Sequence, residues 1–422
     1  MLFGLLSITV AAVHANVRDG TPKEIQLSSV SASPFMFSVG VEVGTPSQSF
    51  KLLFDSGSSS MWIRDSNCGS QSCSNPGFVS AKSKTFQTVN SNSHSINYMD
   101  GSFIQGPLVE DAVNVGGKSV QQEFYLAKTD GSAVGFAVDG ILGLAFPNTL
   151  PTFFGNLISS NQITKQVFSV YYSKDLQSGS MLLGGIDTNR YGGELLWNLV
   201  YGDSSSGSAP FSLWKTKLDY LSMSDKNVTL SDSFDLIFDT GTALSNFPVA
   251  IADKINTALG FSFIPGQNVT YGFPCPNSTV PTALPNISFG LGSGAINFHP
   301  EEYVYFSSLV SNKTTHVYCT SAFVGRPNLT DSAIFGNILT QKLYVVHDYK
   351  NMKIGVAAAN RNTTLTGAFV AADSTDAPAG SWNGSADRYT MRTNNSKPFS
   401  NSGVISAVSL NLLITMLLTL NR

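Results

Sequence analysis

Charge is scarce in this 422-residue sequence, where Asp, Glu, Lys and Arg together make up 13% of positions. There is no basic block and the formal net charge is -3. Nucleic-acid binding needs Lys and Arg clustered against phosphate, so that class is excluded. Histidine is also sparse: His14, His94, His299, His316 and His347 form no set at metal-ligand spacing, and no metal or other cofactor is expected. Long blocks of Ala, Glu, Lys and Leu are missing, which argues against a helical protein. Only four cysteines occur, with three ways to pair them. Pairing within each half, Cys68 with Cys73 and Cys275 with Cys319, is the simplest. Free thiols or a four-thiolate zinc site are the alternatives, although the close CxxC spacing of zinc sites is lacking.

What the sequence does have is Gly, Ser, Thr, Val and Phe in short alternating runs such as FMFSVGVEVG, SFKLLFD, VFSVYY, SFDLIFD and KLYVVHDY. Each run is bounded by Gly, Pro, Asn, Asp or Ser, the pattern of many short strands. Helical periodicity is confined to PTFFGNLISSNQI and FPVAIADKINTALG. The fold class is therefore all-β with a few short helices. The length exceeds what one core fills, so two lobes are expected.

The ends are apolar. MLFGLLSITVAAVHA reads as a secretory signal over 1–15, cut after Ala15, although it lacks the usual basic n-region. A short N-terminal segment or propeptide, 16–34, follows it. At the other end, a Ser/Thr/Asn-rich stalk over 359–402 precedes an apolar tail over 403–422. Small residues, a polar spacer and a terminal apolar tail form the pattern of a glycosylphosphatidylinositol (GPI) attachment signal, with a single-pass membrane helix as the alternative. Attachment candidates are Asn394, Asn395 and Ser396, or Asn383-Gly384-Ser385. Nine Asn-x-Ser/Thr sequons, at Asn227, Asn268, Asn277, Asn286, Asn312, Asn328, Asn362, Asn383 and Asn394, fit an exported glycoprotein. The expected location is the outer side of the plasma membrane or the cell wall.

A long-range echo carries the chemistry. LLFDSGSSSMWI around Asp55 has a counterpart in LIFDTGTALSNF around Asp239, and DGILGLAF at 139–146 is echoed by AIFGNILT at 333–340. Order and approximate spacing both repeat, so each half of the chain looks like a variant of one strand-rich unit: 35–196 with Asp55, and 197–358 with Asp239. Units packed about a pseudo-twofold axis bring equivalent residues face to face, which pairs the two aspartates. One Asp-Ser-Gly is an ordinary turn signal. Two of them in matching contexts propose a carboxylate pair in which one acid stays protonated beside an ionised partner. Such a pair serves amide hydrolysis by water without a covalent intermediate. Gly57 and Gly241 would let backbone N–H groups approach the carboxylates. The hydroxyls of Ser56 and Thr240 would bond across the axis, and those of Ser58 and Thr242 would hold the outer carboxylate oxygens.

Together FDSGSSSMW, INYMDGS, DGILGLAF, FDTGTA and IFGNILTQKLYVVHDY resemble the pepsin family of bilobal aspartic endopeptidases, in the same order from Phe35 to Ala358. The tail adds a similarity to GPI-anchored fungal members called yapsins. The resemblance implies a bilobal β fold whose cleft holds an extended peptide across the catalytic Asp55 and Asp239, in a protein that works as a monomer on protein or peptide substrates. It also implies a flap carrying Tyr98, Asp100 and Gly101, supported by Trp62, with Ile141 lining the pocket before the scissile bond. Three residues depart from the pattern. Ser56 replaces a more usual Thr, Met99 stands where Gly is common, and Ala243 lacks a hydroxyl. Asp100 at the flap tip either favours basic substrate residues or is a turn acid. The stretch 16–34 holds only Arg18 and Lys23 as basic residues, few for an inhibitory prosegment. The leading expectation is a secreted, surface-anchored aspartic endopeptidase with an acidic optimum. The alternative is a catalytically inactive relative that binds peptide or cell-wall polymer.

Overall fold

The structure, a computed structural model, describes residues 21–360 apart from 31–32, 70–72, 74–75, 132–136, 149, 175, 203–210, 224–225, 229–233, 265–269, 282, 293 and 312–313. The expected signal, the stalk beyond 360, the apolar tail, and the sequons at Asn268, Asn312, Asn362, Asn383 and Asn394 lie outside the described residues. Among those described, no helix is long and apolar enough to cross a membrane.

Strands dominate, and their burial follows the period-2 rule. Lys23–Val30 points Ile25 and Leu27 inward, and a register shift between Ser29 and Val30 then buries Val30 out of that phase. Val167–Tyr172 is buried at every position because both of its faces are covered. Helices form where the sequence shows helical periodicity, at Phe153–Ser159 and Val249–Ala258. The first is capped by Thr152, whose hydroxyl accepts from Gly155 N at 3.0 Å. Two further helices of four residues, Pro300–Tyr303 and Asn337–Thr340, carry no periodic signal and follow from local turns.

Among the described residues, fourteen strands form one extended sheet. One end of it belongs to the N-terminal half: Ser33–Val43, Gln48–Asp55, Gly140–Gly143, Trp62–Arg64, Lys118–Ala127, Phe103–Val115 and Gln87–Asn97. The other end mixes the halves. There Tyr191–Leu199, Lys353–Ala359, Leu343–Asp348, Val167–Tyr172, Ser178–Leu183 and Lys23–Val30 lie side by side. The C-terminal half adds a five-stranded sheet containing Asp235–Phe238, Ser332–Phe335 and Ser245–Pro248, and two four-stranded sheets. The result is the expected bilobal, mostly β architecture.

The shared sheet alters the simple partition at 35 and 196. Residues 23–30, within the stretch 16–34 expected to be a short N-terminal segment or propeptide, are an interior strand paired to Ser178–Leu183 on one side and Ser33–Val43 on the other. The edge near 196 falls inside Tyr191–Leu199. Strand pairing does not respect sequence halves, and alternation of buried residues in so short a segment gives no hint of its partners. Cys68 is bonded to Cys73 and Cys275 to Cys319, each pair within one half.

Candidate active site

Each aspartate ends a strand whose alternate side chains enter different cores. In Gln48–Asp55, Leu52 and Phe54 join the main core, while Leu53 joins a smaller cluster with Trp62, Tyr98 and Ile141. In Asp235–Phe238, Leu236 and Phe238 join the main core and Ile237 packs with Leu329 and Ile334. Both strands pair in parallel with the echoed motif of their own half, Leu53 opposite Ile141 and Ile237 opposite Ile334. Gly143 and Gly336 back the two aspartate loops closely. A Cβ on Gly143 would come within 2.7 Å of Ser58 O, and one on Gly336 within 2.7 Å of Thr242 O. The repeated Gly is thus a requirement of close packing between two backbones.

The loops meet across the axis through four hydrogen bonds. Ser56 N donates to Thr240 Oγ1 at 2.9 Å, and Thr240 N donates to Ser56 Oγ at 3.0 Å. Each hydroxyl then donates onward to the opposite strand, Ser56 Oγ to Phe238 O and Thr240 Oγ1 to Phe54 O, both at 3.0 Å. Every donor and acceptor of the brace is used, as buried polar groups require. Ser56 makes the same pair of bonds as Thr240, so the missing methyl costs the brace nothing.

The carboxylates are fully buried and are held in matching ways. Asp55 Oδ1 accepts from Gly57 N at 2.8 Å and Asp239 Oδ1 from Gly241 N at 2.7 Å. Asp55 Oδ2 accepts from Ser58 Oγ, and Asp239 Oδ2 from Thr242 Oγ1 at 2.6 Å. The glycines also face the opposite acid: a Cβ on Gly241 would lie 2.2 Å from Asp55 Oδ1, and one on Gly57 2.4 Å from Asp239 Oδ1. Any side chain there would occupy the space where the two acids meet. Burial raises the pKa of Asp55, against the lowering effect of the bonds from Ser58 and Gly57. Asp239 is raised further, first by burial and then by the charge of Asp55, and it shares a hydrogen bond with Asp55. Two carboxyl groups so close and so buried hold one proton between them, the behaviour for which aspartic-protease dyads are the standard instance.

This geometry has the form expected of a peptide-hydrolysing carboxylate pair, and comparison with known sequences agrees. The family described as eukaryotic aspartyl protease matches residues 36–359. The chain belongs to this family. Pepsin A of Sus scrofa is 34% identical over 329 residues, covering 75% of this chain and 80% of the relative. Pepsin A of Canis lupus familiaris is 33% identical with 75% and 79% covered, and cathepsin E of Rattus norvegicus is 30% identical with 76% and 79% covered. The protein is an aspartic-type endopeptidase.

In this aspartyl protease the hairpin of Gln87–Asn97 and Phe103–Val115 carries Tyr98 at its tip, where Gly101 takes φ +83° and donates its N–H to Tyr98 O at 3.0 Å. Nothing lies near the Gly101 Cβ position, so its backbone conformation alone asks for glycine. Tyr98 OH accepts from Trp62 Nε1 at 2.7 Å, and burial together with the charge of Asp55 keeps the phenol protonated. Ile141 and Ala243 complete the cluster around Tyr98 and Trp62. Asp100 closes its own turn, Oδ1 accepting from Ser102 N at 2.9 Å and Ser102 Oγ at 2.6 Å. Its carboxyl is raised by burial and is countered by those bonds and by the positive charge of Arg326 in the other lobe.

Several supporting residues escape sequence reasoning. Asn337 donates through Nδ2 to Thr240 O at 2.7 Å and accepts from Tyr172 OH at 2.9 Å, tying the Asp239 loop to the shared sheet. Trp214 Nε1 donates to Leu144 O at 3.0 Å, joining the two lobes beneath the site. Arg64, buried two residues after Trp62, pairs with Asp130 at 2.7 Å, and Asp130 lies opposite Ile104 in the hairpin that carries Tyr98. The Asn in the IFGN echo is a usable signal for the first; the other two have none, because their partners are distant in sequence.

Proposed function

We propose that this protein is a secreted, surface-anchored endopeptidase that hydrolyses peptide bonds in extended segments by a water molecule activated between Asp55 and Asp239, with an acidic optimum. The carrying observation is the cross-braced pair of buried carboxylates, each held by a glycine N–H and a hydroxyl. The ionised carboxylate of the pair takes a proton from water as the water oxygen attacks the scissile carbonyl, and the protonated one donates to the carbonyl oxygen. The tetrahedral intermediate then collapses: the C–N bond breaks, the amine leaves with the proton taken from water, and the former carbonyl oxygen returns its proton to the carboxylate that gave it. Ser58, Thr242, Gly57 and Gly241 hold both acids in place throughout. Tyr98 and its flap close over the substrate, with Trp62 fixing the phenol.

An acidic optimum follows from the coupling: above the range in which the pair holds one proton, the acid is lost. The apolar ends and the sequons support export and anchoring. The test is cleavage of a denatured protein between about pH 3 and 6, the range in which a coupled pair holds one proton. Absence of cutting, or full activity in Asp239→Ala, would sink the reading. Release of activity from cells by a phospholipase specific for phosphatidylinositol tests the anchor; protein that needs detergent for release refutes it.

A further inference from the structure

The flap tip rests on the C-terminal lobe. Met99 packs against the cluster of Ile237, Leu329 and Ile334, together with Leu213. Its carbonyl accepts a hydrogen bond from Asn328 Nδ2 at 3.4 Å. Asp100 and Arg326 attract one another beside this contact. The segment Asn328-Leu329-Thr330 turns its ends outward: Asn328 and Thr330 are exposed while Leu329 is buried.

That same segment is a sequon. The Asn328 amide has two hydrogens. One serves the flap carbonyl and the other remains for a sugar, so a glycan and the flap contact are compatible on one nitrogen. The other described sequons with exposed side chains are placed differently. Asn277 lies in a turn next to the disulfide at Cys275, and Asn286 meets His299 at 3.0 Å. Among the described contacts of these three, only that of Asn328 reaches the flap.

We propose that Asn328 carries an N-linked glycan at the junction of flap and C-terminal lobe, and that this glycan sorts substrates by bulk. The inference rests on the reading that the chain is exported. Attachment transfers an oligosaccharide from a lipid-linked pyrophosphate donor. The sugar–phosphate bond breaks, an N-glycosidic bond forms at Nδ2, and the amide proton and the lipid pyrophosphate depart. A bulky, solvated chain rooted beside the flap tip sweeps the space through which a protein loop must approach. A short extended peptide slips beneath it.

The experiment compares exported wild type with Thr330→Ala, which abolishes the sequon and keeps the Asn328 bond, and with Asn328→Ala, which removes both. Peptide mapping by mass spectrometry reads occupancy at every sequon, and kcat/KM is measured on a folded protein substrate and on a short peptide. The expected result is an occupied Asn328 and, in Thr330→Ala, a rise of about threefold or more for the protein substrate with the peptide changed by less than about twofold. Trimming the wild-type glycan with an endoglycosidase should reproduce that rise without any mutation. An unmodified Asn328, or an unchanged ratio of protein to peptide cleavage after both treatments, overturns the proposal. If other sequons are occupied and Asn328 is bare, only this inference falls. If the protein is retained inside the cell and is not recovered outside it, the reading of export falls with it.

Discussion

The two aspartate loops use the same bonds but have different surroundings. Around Asp55 and Asp239 the glycine N–H, the serine or threonine hydroxyl, and the reciprocal brace correspond one for one. Above them the lobes part company. The N-terminal lobe supplies a hairpin, a phenol and a tryptophan, whereas the C-terminal lobe offers Ala243, and the Asn328 segment on which the hairpin rests. The carboxylate frame is thus built twice and the aromatic hairpin once. Burial is the first cause that raises both acids, and the matching hydrogen bonds from glycine and hydroxyl lower both, so the two titrate as a pair.

The strongest way to break this symmetry is to neutralise one acid. Asp55→Asn and Asp239→Asn should each lower kcat by about a thousandfold or more, read from initial rates on a peptide; a large loss in only one of them would end the paired mechanism. Stability should move in the opposite sense. Both folded-state pKa values lie above the ordinary 3.8, so the folded form binds the proton more tightly. That contribution is fully present below the unfolded value and is lost as pH rises through the folded values. Melting temperature should therefore fall less between about pH 4 and 7 in Asp239→Asn than in the wild type, because one of the buried acids no longer titrates.

Next in size is the brace. Ser56→Ala and Thr240→Ala each strand a buried N–H and a buried carbonyl across the axis, and each should cost about 2 kcal/mol in denaturant unfolding. Similar losses would uphold the equivalence of the loops. Tyr98→Phe probes the lobe that has the hairpin: Trp62 Nε1 loses its acceptor, stability should drop by about 1 kcal/mol, and kcat/KM should fall more than kcat if flap closure binds substrate. The smallest change is Ser56→Thr, which restores the methyl found at Thr240. It should leave stability within about 1 kcal/mol and turnover nearly unchanged. A large effect would mean that the N-terminal loop is packed differently from its counterpart.

Much of the dyad and its frame is legible in the order of residues. The Asp-(Ser/Thr)-Gly-(Ser/Thr) repeat predicts the paired acids, and the shared IxG echo predicts the strands that flank them. The two longer helices follow from their periodicity. Lys23–Val30 is different, because its eight residues carry alternation and no partner information, and a strand of that kind is defined by its neighbours. Asn337, Trp214 and Arg64 are hidden for a related reason: a polar side chain in a folded core is read by its partner, and those partners lie far along the chain. For Asp100 the sequence permits two readings. Its turn with Ser102 and the charge of Arg326 give the carboxyl local employment.

The order of residues alone fixes the strand-rich class and singles out Asp55 and Asp239 as a candidate pair, because these depend on local patterns and on their repetition. Tertiary structure decided that Ser56 braces as well as threonine, that residues 23–30 belong inside a sheet shared by both lobes, and that the flap settles beside Asn328. Each of these depends on distances between residues far apart in the chain, which only the packing of one lobe against the other can set.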